Sequence, residues 1–164
     1  ETAASVLALE RIARMARITP LGALVLGAND LSKDTGMIRT PGREALVPVL
    51  SQCVMAARAH GLLAIDSVLN AIGEDERLRA ECRQGRQFGF DGKMLIHPSQ
   101  IEAANEAFAP GEDELAEARA IVAAFDDPAN AGKAVVTVNG QMAEELHRDE
   151  ARALIARAEA IAAR

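Results

Sequence analysis

The amino-acid sequence predicts an α/β domain built on a parallel sheet, and three observations predict it. Short apolar runs alternate with longer segments of helical periodicity. Each run ends in small or polar residues that open the next segment. The apolar content is mainly Ala, Leu, Ile and Val, with four Phe and no Trp or Tyr, which suits helices packed around a buried sheet better than a sandwich.

Residues 4–16 place Val6, Leu7, Leu9, Ile12, Ala13 and Met15 on one broad face, with Glu10, Arg11 and Arg14 opposite, the pattern of an amphipathic helix. Pro20 and Gly22 end the connection. Ala23-Leu24-Val25-Leu26 then reads as a buried strand closing at Gly27. A turn-rich stretch from Asp34 to Gly42 leads into a helix over about residues 44–60, which Gly61 stops as a C-cap would. Leu62-Leu63-Ala64-Ile65 is the next strand, with Asp66-Ser67 at its exit, and residues 74–87 form a charged helix. Lys93-Met94-Leu95-Ile96, left through His97-Pro98-Ser99, reads as a strand passing sharply into a helix whose Ile101, Ala104, Asn105 and Phe108 recur at helical spacing. Ser99 is the candidate N-cap. After Pro110 the pattern changes to a helix over 113–125, a turn-rich segment at 127–132, a β-like run at 134–138, the hairpin turn Asn139-Gly140 and a closing amphipathic helix over 144–163. The expected division is therefore residues 1–109 and 110–164.

A chain of 164 residues with 49% apolar and 26% charged residues is that of an ordinary soluble globular domain. Its formal net charge of −6 argues against general attraction to nucleic acid or anionic membranes, so an anionic ligand needs a local basic patch. The absence of Trp and Tyr argues against base stacking. No apolar run approaches the ~20 residues of a membrane span, and the first residues lack a signal-peptide pattern. Cys53 and Cys82 fall on predicted helices without metal-ligand spacing, so both are expected as buried thiols, and the cytoplasm is the simplest compartment. Because the chain opens on Glu1 and a helical pattern starts at once, its first residue is expected to lie inside a domain.

The strand exits carry the candidate chemistry, since α/β folds place ligands there. If Glu1 ends one strand and Asp30 the next, a parallel sheet brings both carboxylates to one face. Two convergent carboxylates suit Mg²⁺. Spacing alone favours a plainer account, with Glu1 a terminal residue and Asp30 a cap or turn acid. Gly27 and Ala28 serve either a close approach of main-chain amides to substrate or a tight turn. Asp66, Lys93 and His97 stand at strand ends where they could orient substrate or meet an anionic group, with Arg83 and Arg86 near in sequence. The plain alternatives are a turn-capping Asp66, a solvated Lys93 and a His97 that bonds backbone, the last favoured over proton transfer. Glu144 in NGQMAEE is either an acid/base group or a helix-start acid.

The run GFDGKMLIHPSQI, with Glu1-Thr2, GANDLSKD from Gly27 to Asp34 and AIDSV from Ala64 to Val68, resembles the citrate lyase β-subunit and malyl-CoA lyase group of the HpcH/HpaI aldolase superfamily. These four motifs stand in the family's order over most of the chain. The resemblance implies the C-terminal part of a TIM (β/α)₈ barrel, which takes ~250 residues when whole, followed by a helical lid. Half a barrel leaves an unpaired parallel edge, a physical objection to its standing alone. The resemblance also implies Mg²⁺ held by Glu1 of the ET motif and Asp30 of the G-x-x-D-L motif. The function it implies is carbon–carbon lyase or aldolase chemistry, through an enolate, on a hydroxyacyl-CoA thioester such as citryl-CoA or malyl-CoA. A small oxo acid is then the other fragment. Family members present Asp after a similar G-x-M-x sequence, often on a lid over a neighbouring subunit, whereas this chain holds Glu144. The extra methylene moves the carboxylate. A homo-oligomer, as in trimeric relatives, is expected. Thioester hydrolysis or synthesis on the same site, and a non-catalytic paralogue or subunit, remain the alternatives.

Overall fold

Three short parallel strands carry the first part of the chain. β1 (Ala23–Val25), β2 (Leu63–Asp66) and β3 (Gly92–Lys93) pair in the order β1-β2-β3, with Leu24 opposite Ala64 and Asp66 opposite Lys93. The structure, a computed structural model, describes residues 1–163, and these strands belong to the first of two compact units, Glu1–Phe108. Side chains alternate across a strand. Leu24, Leu26, Ala64 and Asp66 are therefore on one face and buried, while Val25 and Leu63 on the other are about half exposed. The buried face packs on α4 (Val47–Ala59) through Leu50, Cys53, Val54 and Ala57, and α5 (Asp75–Phe88) adds Leu78 and Cys82 to the same core.

The helices deliver the chain to the strands through glycine. After α4, Gly61 takes φ 67°, the Gly61 amide bonds the Arg58 carbonyl at 3.4 Å, and the Leu62 amide bonds that of Ala57 at 2.9 Å. After α5, Gly89 takes φ 94°, with its amide on Arg86 O at 2.9 Å and that of Phe90 on Gly85 O at 3.0 Å. Both are Schellman closures, in which a left-handed residue lets two orphan carbonyls be satisfied, and glycine occupies that conformation without a Cβ clash. Each closure points the next residues directly into a strand.

Three local expectations need correction. The first helix is not continuous over 4–16; it forms α1 (Ala3–Leu7), α2 (Leu9–Ala13) and a 3₁₀ turn over 14–17, because Ala8 leaves helical geometry at φ −108°, ψ 10°. The third strand is two residues long and lies earlier than expected. Met94 still donates to Asp66 O at 2.9 Å, but the Ile96 amide turns to Gln100 Oε1. The N-cap after it is His97, whose Nδ1 accepts from the Ser99 amide, so Ser99 is capped rather than capping. α3 (Ala28–Thr35) springs straight from the β1 exit, and α6 (Ile101–Phe108) closes the unit.

The second unit runs from Ala109 onward. It contains α7 (Glu112–Asp126), the antiparallel pair β4 (Val135–Val138) and β5 (Gln141–Glu144), and α8 (Glu145–Ala162). The Asn139-Gly140 turn has φ 50° and 79°, the left-handed pair that a two-residue hairpin uses. Phe125, Val136 and Ala143 form its small core, and the Arg148 guanidinium lies 5.3 Å from the Phe125 ring. No described helix is long and apolar enough to cross a membrane.

Candidate functional site

At the exit of β1 the chain brings Glu1 against Gly27. A Cβ on Gly27 would stand 2.4 Å from Glu1 Cγ and 2.8 Å from its Oε1, so the glycine is what lets this carboxylate reach the strand end. Thr2 fixes the approach by capping α1, its hydroxyl accepting from the Ser5 amide at 3.1 Å. Gly27 is also the N-cap residue of α3, Ala28 is buried in the core at its first position, and Asp30 lies exposed in its first turn. The helix N-terminus favours a carboxylate there. Glu1 thus lies against Gly27 and Asp30 follows Gly27 by three residues, and neither is drawn into an ion pair with a described residue. Among the described residues no group of three or more His, Cys, Asp or Glu could hold a metal. Two carboxylates are nevertheless a sufficient donor set for a hard, water-retaining cation such as Mg²⁺, and the close approach that Gly27 permits fits that use.

The exits of β2 and β3 carry a buried ion network. Arg43 Nη1 reaches both Asp66 oxygens, at 2.9 and 2.7 Å, while its Nε donates to Gln84 Oε1 at 2.7 Å and its Nη2 to Glu81 O at 3.2 Å. Lys93 Nζ bonds Glu81 Oε2 at 2.9 Å and lies 3.5 Å from Asp66 Oδ2. The four side chains that carry these charges are all essentially inaccessible. These four make two cations and two anions, the balance that burial demands, and the part-exposed Arg77 reaches Glu81 Oε1 at 3.6 Å from outside. Asp66 and Lys93, sought as substrate-binding groups, are here bonded to protein partners on the helix-covered side of the sheet. Sequence reasoning missed Arg43 and Glu81. Nothing local marks Arg43, 23 residues from Asp66, except that it takes φ 57° just after Pro41-Gly42.

Other predicted residues sit apart from this network. His97 is exposed and uses Nδ1 in its cap, also 2.9 Å from Ser99 Oγ. Arg83 is exposed on α5. Glu144 ends β5 and caps α8 reciprocally with His147, its own amide donating to His147 Nδ1 at 2.9 Å. Cys53 and Cys82 are free and buried, and burial, with the nearby Asp66 charge, pushes the Cys53 thiol up to about 11. Neither is a nucleophile at neutral pH.

A further polar cluster was also missed. Asn29 and Asn70 exchange side-chain hydrogen bonds at 3.1 and 2.9 Å, and Arg39 donates to Asn29 Oδ1 and, at 3.2 Å, to Val68 O. It links the loop that follows α3 to the exit of β2.

Comparison with known proteins gives this geometry a context. The HpcH/HpaI aldolase/citrate lyase family profile matches residues 1–98. A (3S)-malyl-CoA thioesterase of Cereibacter sphaeroides is 47% identical over 163 residues, covering 99% of this chain and 56% of the relative. The citrate lyase subunit beta of Escherichia coli is 34% identical over 136 residues, covering 83% and 45%. Among solved structures, CitE from Mycobacterium tuberculosis in complex with magnesium, acetoacetate and coenzyme A superposes with a TM-score of 0.81 at 30% identity, covering 96% of this chain and 58% of that one. The chain spans about half the length of the curated relatives it matches.

Proposed function

Because the chain belongs to the HpcH/HpaI aldolase/citrate lyase family, we propose that it is the metal-holding part of a Mg²⁺-dependent enzyme acting on a hydroxyacyl-CoA thioester. What supports this is the Glu1 side chain lying against Gly27 at the β1 exit, with Asp30 in the first turn of the helix that Gly27 opens, in a chain similar to a CitE that binds magnesium and coenzyme A. Bound there, the cation would polarise acyl-fragment oxygens and stabilise developing negative charge. Glu1 and Asp30 would hold it. Gly27 keeps the space for the Glu1 carboxylate, and the first α3 amides orient a substrate carboxylate. Glu144 is proposed as the acid/base group on its chemistry alone.

Hydrolysis is the first reaction to test, since the 47% identical relative is a (3S)-malyl-CoA thioesterase. Water adds to the thioester carbonyl, the carbon–sulfur bond breaks, and the leaving thiolate takes up a proton. Carbon–carbon cleavage is the second, favoured by the citrate lyase relatives. There the hydroxyl loses its proton, the carbon–carbon bond breaks, and the acetyl-CoA enolate is protonated. The deciding experiment incubates the full-length protein with malyl-CoA and Mg²⁺. Free thiol with malate identifies hydrolysis, whereas glyoxylate with acetyl-CoA identifies the lyase. Loss of neither substrate nor thioester over a range of metal concentrations would sink the proposal. A trimeric assembly is proposed with it, to be checked by sedimentation of the same material.

A further inference from the structure

The chain carries a formal net charge of −6, yet one cleft of about 420 Å³ is lined by Arg39, Leu69, Asn70, Ala71 and Arg77, two guanidiniums and no carboxylate. We infer that this cleft is an anion site that takes the phosphate groups of the acyl carrier. The inference rests on the proposed thioester chemistry and assigns it a second anchoring point, apart from the carboxylates at the β1 exit.

Several observations favour a phosphate over other ligands. Arg39 is held before any ligand arrives, by Asn29 Oδ1 and by Val68 O at 3.2 Å, and these bonds leave further guanidinium N–H groups uncommitted. Asn29 is itself fixed by its reciprocal bonds with Asn70. A donor fork pinned in this way costs little ordering on binding, and its planar geometry matches phosphate oxygens. Across the cleft Arg77 is one-third exposed; Nη1 lies 3.3 Å from Glu74 Oε2, and Nε, closed off from solvent, lacks a hydrogen-bond partner. Glu74, and Glu81 at 3.6 Å from Nε, hold Arg77 in place from outside the lining. The acceptors of the lining loop are also occupied, because Gln100 Nε2 bonds the carbonyls of Leu69 at 3.2 Å and Ala71 at 3.1 Å. What remains in the lining is donor-rich, with Arg39 bonded only to neutral acceptors and Arg77 paired with Glu74 and Glu81 behind it. Asn29 immediately precedes Asp30, so the cleft adjoins the proposed metal-binding turn.

The test is calorimetric titration of the full-length protein with coenzyme A, with pantetheine, which has the same thiol arm and no phosphate, and with inorganic pyrophosphate. Arg39→Ala and Arg77→Ala are each expected to weaken coenzyme A and pyrophosphate by about tenfold, the loss of a charge-assisted contact, and to change pantetheine by less than about twofold. Either variant alone carries the test if the other fails to fold. Unchanged coenzyme A affinity, or pantetheine weakened as much as coenzyme A, overturns the inference. Turnover of a thioester with coenzyme A binding indifferent to both arginines leaves the proposed function standing and removes the site. Arginine-dependent pyrophosphate binding by a protein that neither binds coenzyme A nor turns over a thioester does the reverse: it keeps an anion site for free phosphate and removes the carrier.

Discussion

Arg43 shows how much one side chain carries. Its guanidinium is 1% exposed and spans the loop after α3, the end of β2 and two positions on α5. Arg43→Ala would leave Asp66 buried with the Ser67 amide at 2.7 Å and, as its one cation among the described residues, Lys93 at 3.5 Å, and breaking one partner of a buried pair costs about 3–5 kcal/mol. Urea denaturation is expected to read a loss of that size. Replacing both partners, Arg43→Met with Asp66→Leu, is expected to recover a large part, since desolvation of the pair disappears with it. A loss below ~1 kcal/mol for Arg43→Ala, the range of exposed pairs, would mean that the network is not structural. Cys53 makes a pH-dependent contribution at the same scale. The unfolded thiol ionises near its ordinary value of 9.0 and the folded one near 11, chiefly because burial disfavours the thiolate. Its contribution is therefore complete below pH 9.0 and falls as pH rises through about 11. Thermal midpoints measured from pH 8 to 11 should decline less steeply in Cys53→Ala than in the parent protein, and parallel curves would refute the assignment.

Helix α5 supplies a prediction whose sign separates general propensity from this packing. Replacing a mid-helix glycine by alanine ordinarily gains about 1 kcal/mol. At Gly85 the added Cβ would stand 2.9 Å from Asp66 Oδ2 and 3.5 Å from Phe108 Cζ. Gly85→Ala is thus expected to destabilise by roughly 1–3 kcal/mol, the usual cost of overpacking; a midpoint shifted upward would disprove the close approach. The contrast with Gly61 and Gly89 shows what sequence can reveal. Gly61 follows a helical run and precedes an apolar one, so its capping role is legible in the sequence. So are the three aliphatic runs and the Asn139-Gly140 turn, because each is a local signal. Gly85 gave none, since its neighbour Asp66 is remote in sequence. The break at Ala8 was equally silent: alanine is the best helix former, and only the local geometry, φ −108°, reveals the interruption. Composition sets the third strand too late because Met94-Leu95-Ile96 satisfies strand preference, whereas pairing with β2 decides where a strand ends. At the candidate site, family resemblance rather than spacing picked out Glu1 and Asp30. Arg39, Asn29 and Asn70 come together only through loops, where no periodicity links them.

The charge of the whole molecule determines how the metal proposal must be tested. With 24 acidic and 18 basic residues the chain attracts any divalent cation diffusely, and a rise in thermal midpoint with Mg²⁺ is by itself no sign of a site. Diffuse attraction fades as monovalent salt is added, because exposed charges are screened beyond ~8 Å at physiological ionic strength. Binding at a site instead saturates, and stabilises by an amount set by the ratio of free cation to dissociation constant. The full-length protein in about 0.15 M salt is therefore expected to show a saturable Mg²⁺-dependent rise in midpoint. Glu1→Gln and Asp30→Asn should each abolish that rise while leaving the metal-free midpoint close to the parent's, since neither carboxylate takes part in an ion pair with a described residue. Glu10→Gln provides the control: it removes the same unit of charge from an exposed helix position that pairs with Arg14, and should leave the Mg²⁺ response intact. If all three variants respond to Mg²⁺ like the parent, the cation is acting on net charge alone and the carboxylates beside Gly27 are not its ligands.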